Sequence, residues 1–146
     1  MTPPRHGDGR VVLQIEDLDV DHEALRRALH RTRPDLTLVR CTDGADARAW
    51  FTALADDDPL PALVVLDLTM PHGDGREFLA WFLTWFRAPF PRGMPPVVVL
   101  SSSTDPDDVH ACYVAGASGY VAKPVNHVLF QAAVRGALDY WVPPRA

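Results

Sequence analysis

Three short runs of apolar residues, each of which ends on polar side chains, constrain the fold of this 146-residue chain most strongly. They are residues 11–17 (VVLQIED), 62–71 (ALVVLDLTMP) and 97–103 (VVVLSSS). Runs this short and this rich in valine are typical of buried strands in a parallel sheet rather than of helices. Because ligands bind such sheets at the carboxyl ends of the strands, Asp67 and the polar residues that close the other runs predict a functional site.

Helical patterns separate the strands. Two further strands are predicted at residues 37–41 and 118–122, and the clearest amphipathic helix covers residues 78–86. One later helix has an explicit start, because Asp105 stands at the N-cap and Pro106 at the first helical position. Asp19 and Asn126 are predicted to cap two other helices, and a turn at Asp43 and Gly44 leads into a further helix. Five strands that alternate with five helices predict an α/β fold with right-handed crossovers and a parallel sheet covered on both faces.

Length and composition predict one domain, because 146 residues with 47% hydrophobic content suffice for one core and not for two. We assign residues 1–9 to a mobile leader, residues 10–142 to the domain and residues 143–146 to a tail. The net charge of −5 and the lack of clustered basic residues argue against nucleic-acid binding. No apolar run is long enough to span a membrane. Cys41 and Cys112 lack any paired-cysteine spacing, so we expect a soluble protein of the reducing cytoplasm.

Several residues at the predicted strand ends resemble, as a set, the receiver domain of bacterial two-component response regulators. The residues that carry the resemblance are Glu16 and Asp17 after the first strand, Asp67 after the third, Ser101 after the fourth, and the string GYVAKP at residues 119–124. The resemblance covers residues 10–142 and implies a flavodoxin-like sheet of five parallel strands in the order 2-1-3-4-5. The segments SSSTDPDDV and DYWVPP are most similar to single-domain response regulators that partner phytochrome histidine kinases.

A carboxylate accepts a phosphoryl group from phosphohistidine only if the repulsion between the two anions is removed, and a divalent cation removes it. Asp67 is the predicted acceptor, and Asp17 and Asp67 are predicted to bind Mg²⁺ (or Mn²⁺) directly. Mg²⁺ prefers oxygen ligands and retains waters, so the backbone carbonyl of Thr69 and a water held by Glu16 complete the predicted site. The implied partner is a sensor histidine kinase, and the most specific resemblance points to a phytochrome.

Lys123 is the only lysine among 14 basic residues, since the others are all arginines. A compact ammonium can follow a phosphoryl oxygen more freely than a planar guanidinium. The resemblance implies that Lys123 pairs with Asp67 at rest and with the phosphoryl group after transfer, and that its bond to Pro124 is cis. It also implies that Ser101 hydrogen-bonds the phosphoryl group while the ring of Tyr120 turns inward as the second half of a switch.

Other functions can be weighed against phosphoryl acceptance. A phosphatase with an aspartyl nucleophile would carry a second acid two residues after Asp67, where this chain has Thr69. We therefore predict that the protein is not an enzyme that turns over a substrate. We also predict a long-lived phosphoryl group on Asp67, because neither Thr69 nor Ser103 is suited to orient an attacking water. A flavin or nucleotide binder would have a glycine-rich or hydroxyl-rich loop where Glu16 and Asp17 stand. The alternative that stays open is a receiver-like docking module that works without phosphorylation.

The last predicted helix is apolar on more than one face. Its two apolar stripes consist of Leu129, Ala133, Gly136 and Tyr140, and of Phe130, Val134, Ala137 and Trp141. One stripe suffices to cover the sheet, so the other predicts contact with a second molecule, and a two-fold homodimer is the usual solution. We assign the dimer interface to Phe130, Val134 and Trp141.

Overall fold

A computed structural model describes residues 10–68, 74–87 and 94–144, in which strands and helices alternate. The strands are β1 (Arg10–Ile15), β2 (Leu36–Cys41), β3 (Leu63–Leu66), β4 (Val97–Ser101) and β5 (Gly119–Ala122). The helices are α1 (Asp19–Thr32), α2 (Gly44–Thr52), α3 (Asp74–Arg87), α4 (Pro106–Val114) and α5 (His127–Trp141). The predicted leader, residues 145–146 of the tail and Thr69 lie outside the described residues. Within the described ranges, no helix is both long and apolar enough to cross a membrane.

All five strands form one parallel sheet in the order β2-β1-β3-β4-β5, which confirms the predicted fold and strand order. In the centre, Ile15 at the end of β1 lies beside Cys41 of β2 and beside Leu66 of β3. Toward the other side, Ser101 of β4 lies beside Ala122 of β5. The strand ends are thus aligned along one edge of the sheet, and the residues that follow them are brought together there.

Side-chain caps fix the start of three helices, and the sequence predicts the caps of two of them, α4 and α5. An oxygen of the N-cap side chain accepts backbone N–H hydrogen bonds of the first turn in α2, α4 and α5, where the caps are Asp43, Asp105 and Asn126. For α1 the prediction is wrong, because Leu18 is the N-cap residue and Asp19 is the first residue of the helix. The Asp19 carboxylate instead pairs with Arg40 of β2, with 2.7 Å between Oδ1 and Nη1.

The two faces of the sheet carry cores of different character. On one face, α2 and α3 bring aromatic rings together, with the centroid of Phe51 lying 4.9 Å from that of Phe82 and 6.3 Å from that of Phe78. On the other face, α1 and α5 contribute mainly aliphatic side chains, such as Leu25 and Leu138. We call these the aromatic core and the aliphatic core. Burial on both faces supplies the main driving force for folding and holds the strand ends in place.

Helix α5 covers the sheet with the stripe that the sequence analysis assigned to a dimer interface. Phe130 and Val134 are only 9% and 6% exposed in the aliphatic core, and Trp141 packs half-buried against that core. Phe130 and Val134 are thus buried within the chain and do not form an exposed interface, whereas the interface role of Trp141 stays a prediction. The other stripe is the free one, with Leu129 59% and Tyr140 74% exposed. Both stripes are apolar and follow the same helical repeat, so only packing against the sheet decides which of them is buried.

Candidate functional site

Two buried acids meet at the carboxyl ends of β1 and β3. Glu16 and Asp67 each follow the last residue of a strand, and those last residues, Ile15 and Leu66, are register partners. A backbone hydrogen bond of 3.1 Å from the Asp67 N–H to the Ile15 carbonyl joins the two strand ends. Both acids are buried, and their side chains share a hydrogen bond. Two carboxyl groups held out of water side by side cost free energy unless a proton or a cation compensates them.

Lys123 brings a positive charge to these acids from the end of β5. Its backbone N–H donates to the Ser101 carbonyl at 2.8 Å, which fixes its position beside β4. Its Nζ lies 3.4 Å from Oδ2 of Asp67 and 3.5 Å from Oε2 of Glu16. The structure thus brings together an acid pair and the lysine that the sequence analysis singled out. The peptide bond between Lys123 and Pro124 is trans, so the cis bond implied by the resemblance is wrong.

A further acid of this cluster, Asp21, is missing from the sequence analysis. It lies in the first turn of α1, and its Oδ2 accepts a hydrogen bond from Lys123 Nζ at 2.9 Å. The contact joins residues 102 positions apart, so no local pattern reveals it. The one signal in the sequence is an additional acid four residues after Asp17.

Burial sets the protonation of this cluster. Burial, together with the hydrogen bond to Asp67 and the charge of that acid, raises the pKa of Glu16 to about 8 against the opposing effect of Lys123. The raised pKa favours the protonated form of Glu16, which reduces the repulsion between this acid and Asp67. Burial lowers the pKa of Lys123, but the hydrogen bond to Asp21 and the charges of the other acids outweigh it, so the pKa lies above its usual value. A proton on Glu16 and the ammonium of Lys123 thus both reduce the net negative charge of this cluster.

The oxygen atoms of this cluster suit a divalent cation. Glu16, Asp21 and Asp67 each offer one carboxylate oxygen, and these atoms lie within 4.8 Å of one another. The Oδ1 atom of Asp17 is buried and has no hydrogen-bond partner among the described residues. A carboxylate oxygen that is buried without a partner costs free energy, and coordination to a hard cation removes that cost. The oxygens of Glu16, Asp21 and Asp67 therefore fit a divalent metal ion. The predicted ligand Asp17 is not part of this group, and Thr69 lies outside the described residues.

Both predicted switch residues contact the loop after β4. Ser101 is buried, and its Oγ accepts a hydrogen bond from the backbone N–H of Ser103 at 3.2 Å. The hydroxyl of Tyr120, whose ring is half-buried, donates to the Ser103 carbonyl at 2.7 Å. The Ser103 hydroxyl donates to Asp108 of α4 at 2.6 Å, and Asp108 pairs with Arg76 of α3 at 2.7 Å. This network connects the strand ends to two helices, and the switching role of Ser101 and Tyr120 stays a prediction.

A parallel sheet of this order, with buried acids and a lysine at its carboxyl edge, defines a phosphoacceptor domain of signalling proteins. Comparison with known proteins agrees, since the family model of the response regulator receiver domain matches residues 12–135. Response regulator Rcp1 of Synechocystis sp. is 32% identical over 135 residues, which cover 91% of this chain and 89% of Rcp1. The crystal structure of the Mn(2+)-bound form of Rcp1 superimposes with a TM-score of 0.75 at 31% identity, and covers 94% of this chain and 97% of that one.

The phosphorylated cyanobacterial phytochrome response regulator RcpA is also similar, with a TM-score of 0.79 and 28% identity over 94% of this chain and 97% of RcpA. The chain therefore belongs to the response regulator receiver family. Its function is that of a receiver in two-component signalling, where such domains are phosphoacceptor proteins. The metal-bound form of Rcp1 agrees with the acidic cluster at the carboxyl edge.

Proposed function

We propose that this response regulator accepts a phosphoryl group on Asp67 from the phosphohistidine of a sensor histidine kinase, in a Mg²⁺-dependent reaction. The observation that carries the proposal is the 3.4 Å contact between Lys123 Nζ and the buried carboxylate of Asp67. A carboxylate at a strand end is held in place for attack, and an adjacent ammonium can bind the oxygen of the incoming group. Two free, buried thiols, Cys41 and Cys112, agree with a reaction in the cytoplasm.

The proposed transfer uses residues of this chain in distinct roles. One carboxylate oxygen of Asp67 attacks phosphorus, the P–N bond of phosphohistidine breaks, and its electron pair returns to the imidazole, which then binds a proton. Mg²⁺ removes the repulsion between the two anions. The residues proposed to hold it are Glu16, Asp17, Asp67 and the carbonyl of Thr69. Lys123 and the hydroxyl of Ser101 donate to phosphoryl oxygens.

Intact mass measured after incubation with a small phosphodonor tests the acceptor assignment. We expect one phosphoryl group on the wild type and on Asp56→Asn, which removes an exposed acid outside the site. We expect none on Asp67→Asn, and none on the wild type in chelator. Labelling of Asp67→Asn would overturn the assignment. A wild type that stays unlabelled with every donor but still binds its kinase would support the docking module instead.

For the kinase we propose a phytochrome. RcpA is described as a cyanobacterial phytochrome response regulator, and RPA3017, at 26% identity and a TM-score of 0.76, as a regulator in red light signalling of R. palustris. Transfer to this protein from a phosphorylated phytochrome kinase should be at least roughly tenfold faster than from an unrelated kinase, a difference of about 1.4 kcal/mol in the barrier. Equal rates from both kinases would contradict a phytochrome partner.

We also propose that the protein does not turn over its own phosphoryl group quickly. Ser103 uses its hydroxyl to donate to Asp108, and neither Ser103 nor Thr69 is an acid or amide that could orient a water. The phosphoryl group on Asp67 should therefore persist well beyond seconds, and Thr69→Asn should shorten its lifetime. Loss of the label within seconds in the wild type would contradict this assignment.

Finally, we propose a homodimer that uses the exposed stripe of α5. Leu129 and Tyr140 lie on that stripe, and Val128 beside them is 72% exposed. In a two-fold dimer, the same apolar patch of each protomer is buried against that of the other. In light scattering over a dilution series, Leu129→Asp and Tyr140→Asp should give monomers that stay folded. Phe130→Asp should unfold the chain, because it buries a charge in the aliphatic core. A monomeric wild type at tens of micromolar concentration would refute the dimer.

A further inference from the structure

The ammonium of Lys123 lies closer to Asp21 than to the acid that it is proposed to serve. The distance from Nζ to Oδ2 is 2.9 Å for Asp21 and 3.4 Å for Asp67. The shorter distance is that of a charge-assisted hydrogen bond, while the longer one is that of a looser ion pair. In the resting protein, therefore, the strongest contact of the lysine is made to an acid of α1 and not to an acid at a strand end.

An ammonium has three N–H donors, and in this site three acids already surround it. Besides Asp21 and Asp67, Glu16 lies 3.5 Å from Nζ. A phosphoryl group adds further acceptor oxygens and negative charge, so one of the existing contacts has to weaken. The Asp21 side chain is 37% exposed, whereas that of Glu16 is 3% exposed. Water can replace the lysine at Asp21 but not at Glu16, so the contact with Asp21 is the one that can be given up at least cost.

The surroundings of Lys123 leave room for such a movement. A cavity of about 160 Å³ lies beside its side chain, and both Asp21 and Lys123 are part of its wall. The cavity extends along the aliphatic core, where it is lined by Ala24 of α1 and Phe130 of α5. The cavity therefore gives the ammonium space to move away from Asp21 beside both helices.

We propose that Asp21 is a positioning residue that holds the Lys123 ammonium at rest and competes with the phosphoryl group for it. The inference rests on the proposed function, because it assigns a regulatory part to a residue beside the phosphoacceptor. Asp21 acts through Lys123 and adds a negative charge close to the incoming phosphoryl group. It thereby lowers the fraction of protein that is phosphorylated at a given donor concentration.

Because Lys123 is the only lysine of the chain, a lysine labelled with ¹⁵N gives one side-chain signal and reports this contact directly. Asp21→Asn should shift that signal in the metal-free protein. Asp21→Glu, which restores the charge, should move it back toward the wild type. The matched control is Asp19→Asn, because it removes the same charge from the same turn of α1 at a residue that pairs with Arg40 instead. Asp19→Asn should leave the lysine signal in place.

The effect on the proposed function is measured with beryllofluoride, a stable analogue of the phosphoryl group, in the presence of Mg²⁺. Loss of a partly exposed ion pair predicts that Asp21→Asn binds beryllofluoride roughly twofold to fivefold more tightly than the wild type and Asp19→Asn do. If Asp21→Asn proves poorly folded, Asp21→Ser, which suits the first turn of a helix, serves in its place. Circular dichroism measured before each titration shows whether the variant is folded and therefore which of the two is used.

Three results would overturn the proposal. One is a lysine signal that Asp21→Asn and Asp21→Ser leave unchanged. Another is unchanged or weaker beryllofluoride binding in these variants. The third is a loss of Mn²⁺ affinity of tenfold or more in Asp21→Asn but not in Asp19→Asn, which would make Asp21 a metal ligand. If neither the wild type nor Asp19→Asn binds beryllofluoride, the proposed function fails, while the lysine signal still decides whether Asp21 holds Lys123.

Discussion

Buried charges lie at both ends of the sheet, but they are paired differently at the two ends. At the amino end, just before β2, the Arg33 side chain is 5% exposed and donates to Asp35 at 3.0 and 2.9 Å and to Asp139 at 3.4 Å. It also donates to the backbone carbonyl of Val142 at 2.6 Å. Both acids are roughly half-exposed, so water solvates the charge that remains. Every nitrogen of the Arg33 guanidinium thus has a partner here, and we call this the saturated end.

At the carboxyl end, acids outnumber the cations that pair with them. One ammonium, that of Lys123, faces three acids, and Glu16 and Asp67 are almost completely buried. Asp17 adds a buried oxygen without a hydrogen-bond partner among the described residues. A buried cation with matched partners holds a chain together, whereas buried acids in excess of cations leave a site that binds further positive charge. The first arrangement is structural and the second is suited to function.

The two ends should also respond to pH in opposite directions. A hydrogen bond from Arg33 lowers the pKa of Asp35 to about 2, so its contribution to stability is present above the unfolded pKa of 3.8 and is lost as the pH falls toward 2. The pKa of Glu16 is raised from 4.5 to about 8, so its contribution is complete below pH 4.5 and is lost as the pH rises through about 8.

The largest effect is expected for Arg33→Ala, which breaks the saturated end. It leaves the carbonyl of Val142 buried without its donor and removes a buried guanidinium that two acids share. We expect a loss of about 3–5 kcal/mol in the free energy of unfolding. Urea denaturation measures it. A loss below about 1 kcal/mol would show that the amino end is not held together by this residue.

Glu16→Gln should have the next largest effect and acts on the other end. Between pH 5 and pH 8.5, the metal-free wild type should lose about 2–4 kcal/mol through ionisation of Glu16, at about 1.4 kcal/mol for each unit of pKa shift less relaxation of the site. The variant has no such proton, so its stability should change little over that range. Denaturation in chelator at both pH values provides the measurement. Parallel losses in the two proteins would contradict the raised pKa.

Mg²⁺ should supply the positive charge that the acids of the carboxyl end lack, and should thereby stabilise the folded protein. At a concentration one hundred times its dissociation constant, it should stabilise the wild type by about 2.7 kcal/mol. Asp17→Asn should need a higher Mg²⁺ concentration for the same gain in stability, because the substitution removes the carboxylate to which the unpartnered Oδ1 belongs. Thermal unfolding over a Mg²⁺ titration measures both. Identical curves for the two proteins would remove Asp17 from the metal site.

The smallest effect is expected for Arg135→Ala, which sharpens the comparison at the amino end. Arg135 also pairs with Asp139, at 3.7 Å, but its side chain is 66% exposed. Its loss should cost no more than about 0.5 kcal/mol in urea denaturation, because exposed pairs in a helix contribute little. A cost that approaches that of Arg33→Ala would mean that burial does not distinguish these two arginines.

The fold and the centre of the site could be predicted from the sequence because their signals are local. Short valine-rich runs that end on Glu16, Asp67 and Ser101 define strands with polar carboxyl ends, and a parallel sheet aligns those ends without further information. The caps Asp105 and Asn126 act on backbone groups within a few residues, so they too can be predicted from the sequence.

The tertiary structure alone decided which distant residues meet. Asp21 contacts Lys123 across 102 positions and Arg33 donates to Val142 across 109, and neither pair leaves a periodic trace in the sequence. The same is true of α5, where both apolar stripes fit the helical repeat and only packing against the sheet buries Phe130 and exposes Leu129. Local patterns specify the elements and their ends, whereas contacts between elements depend on how the sheet and helices pack together.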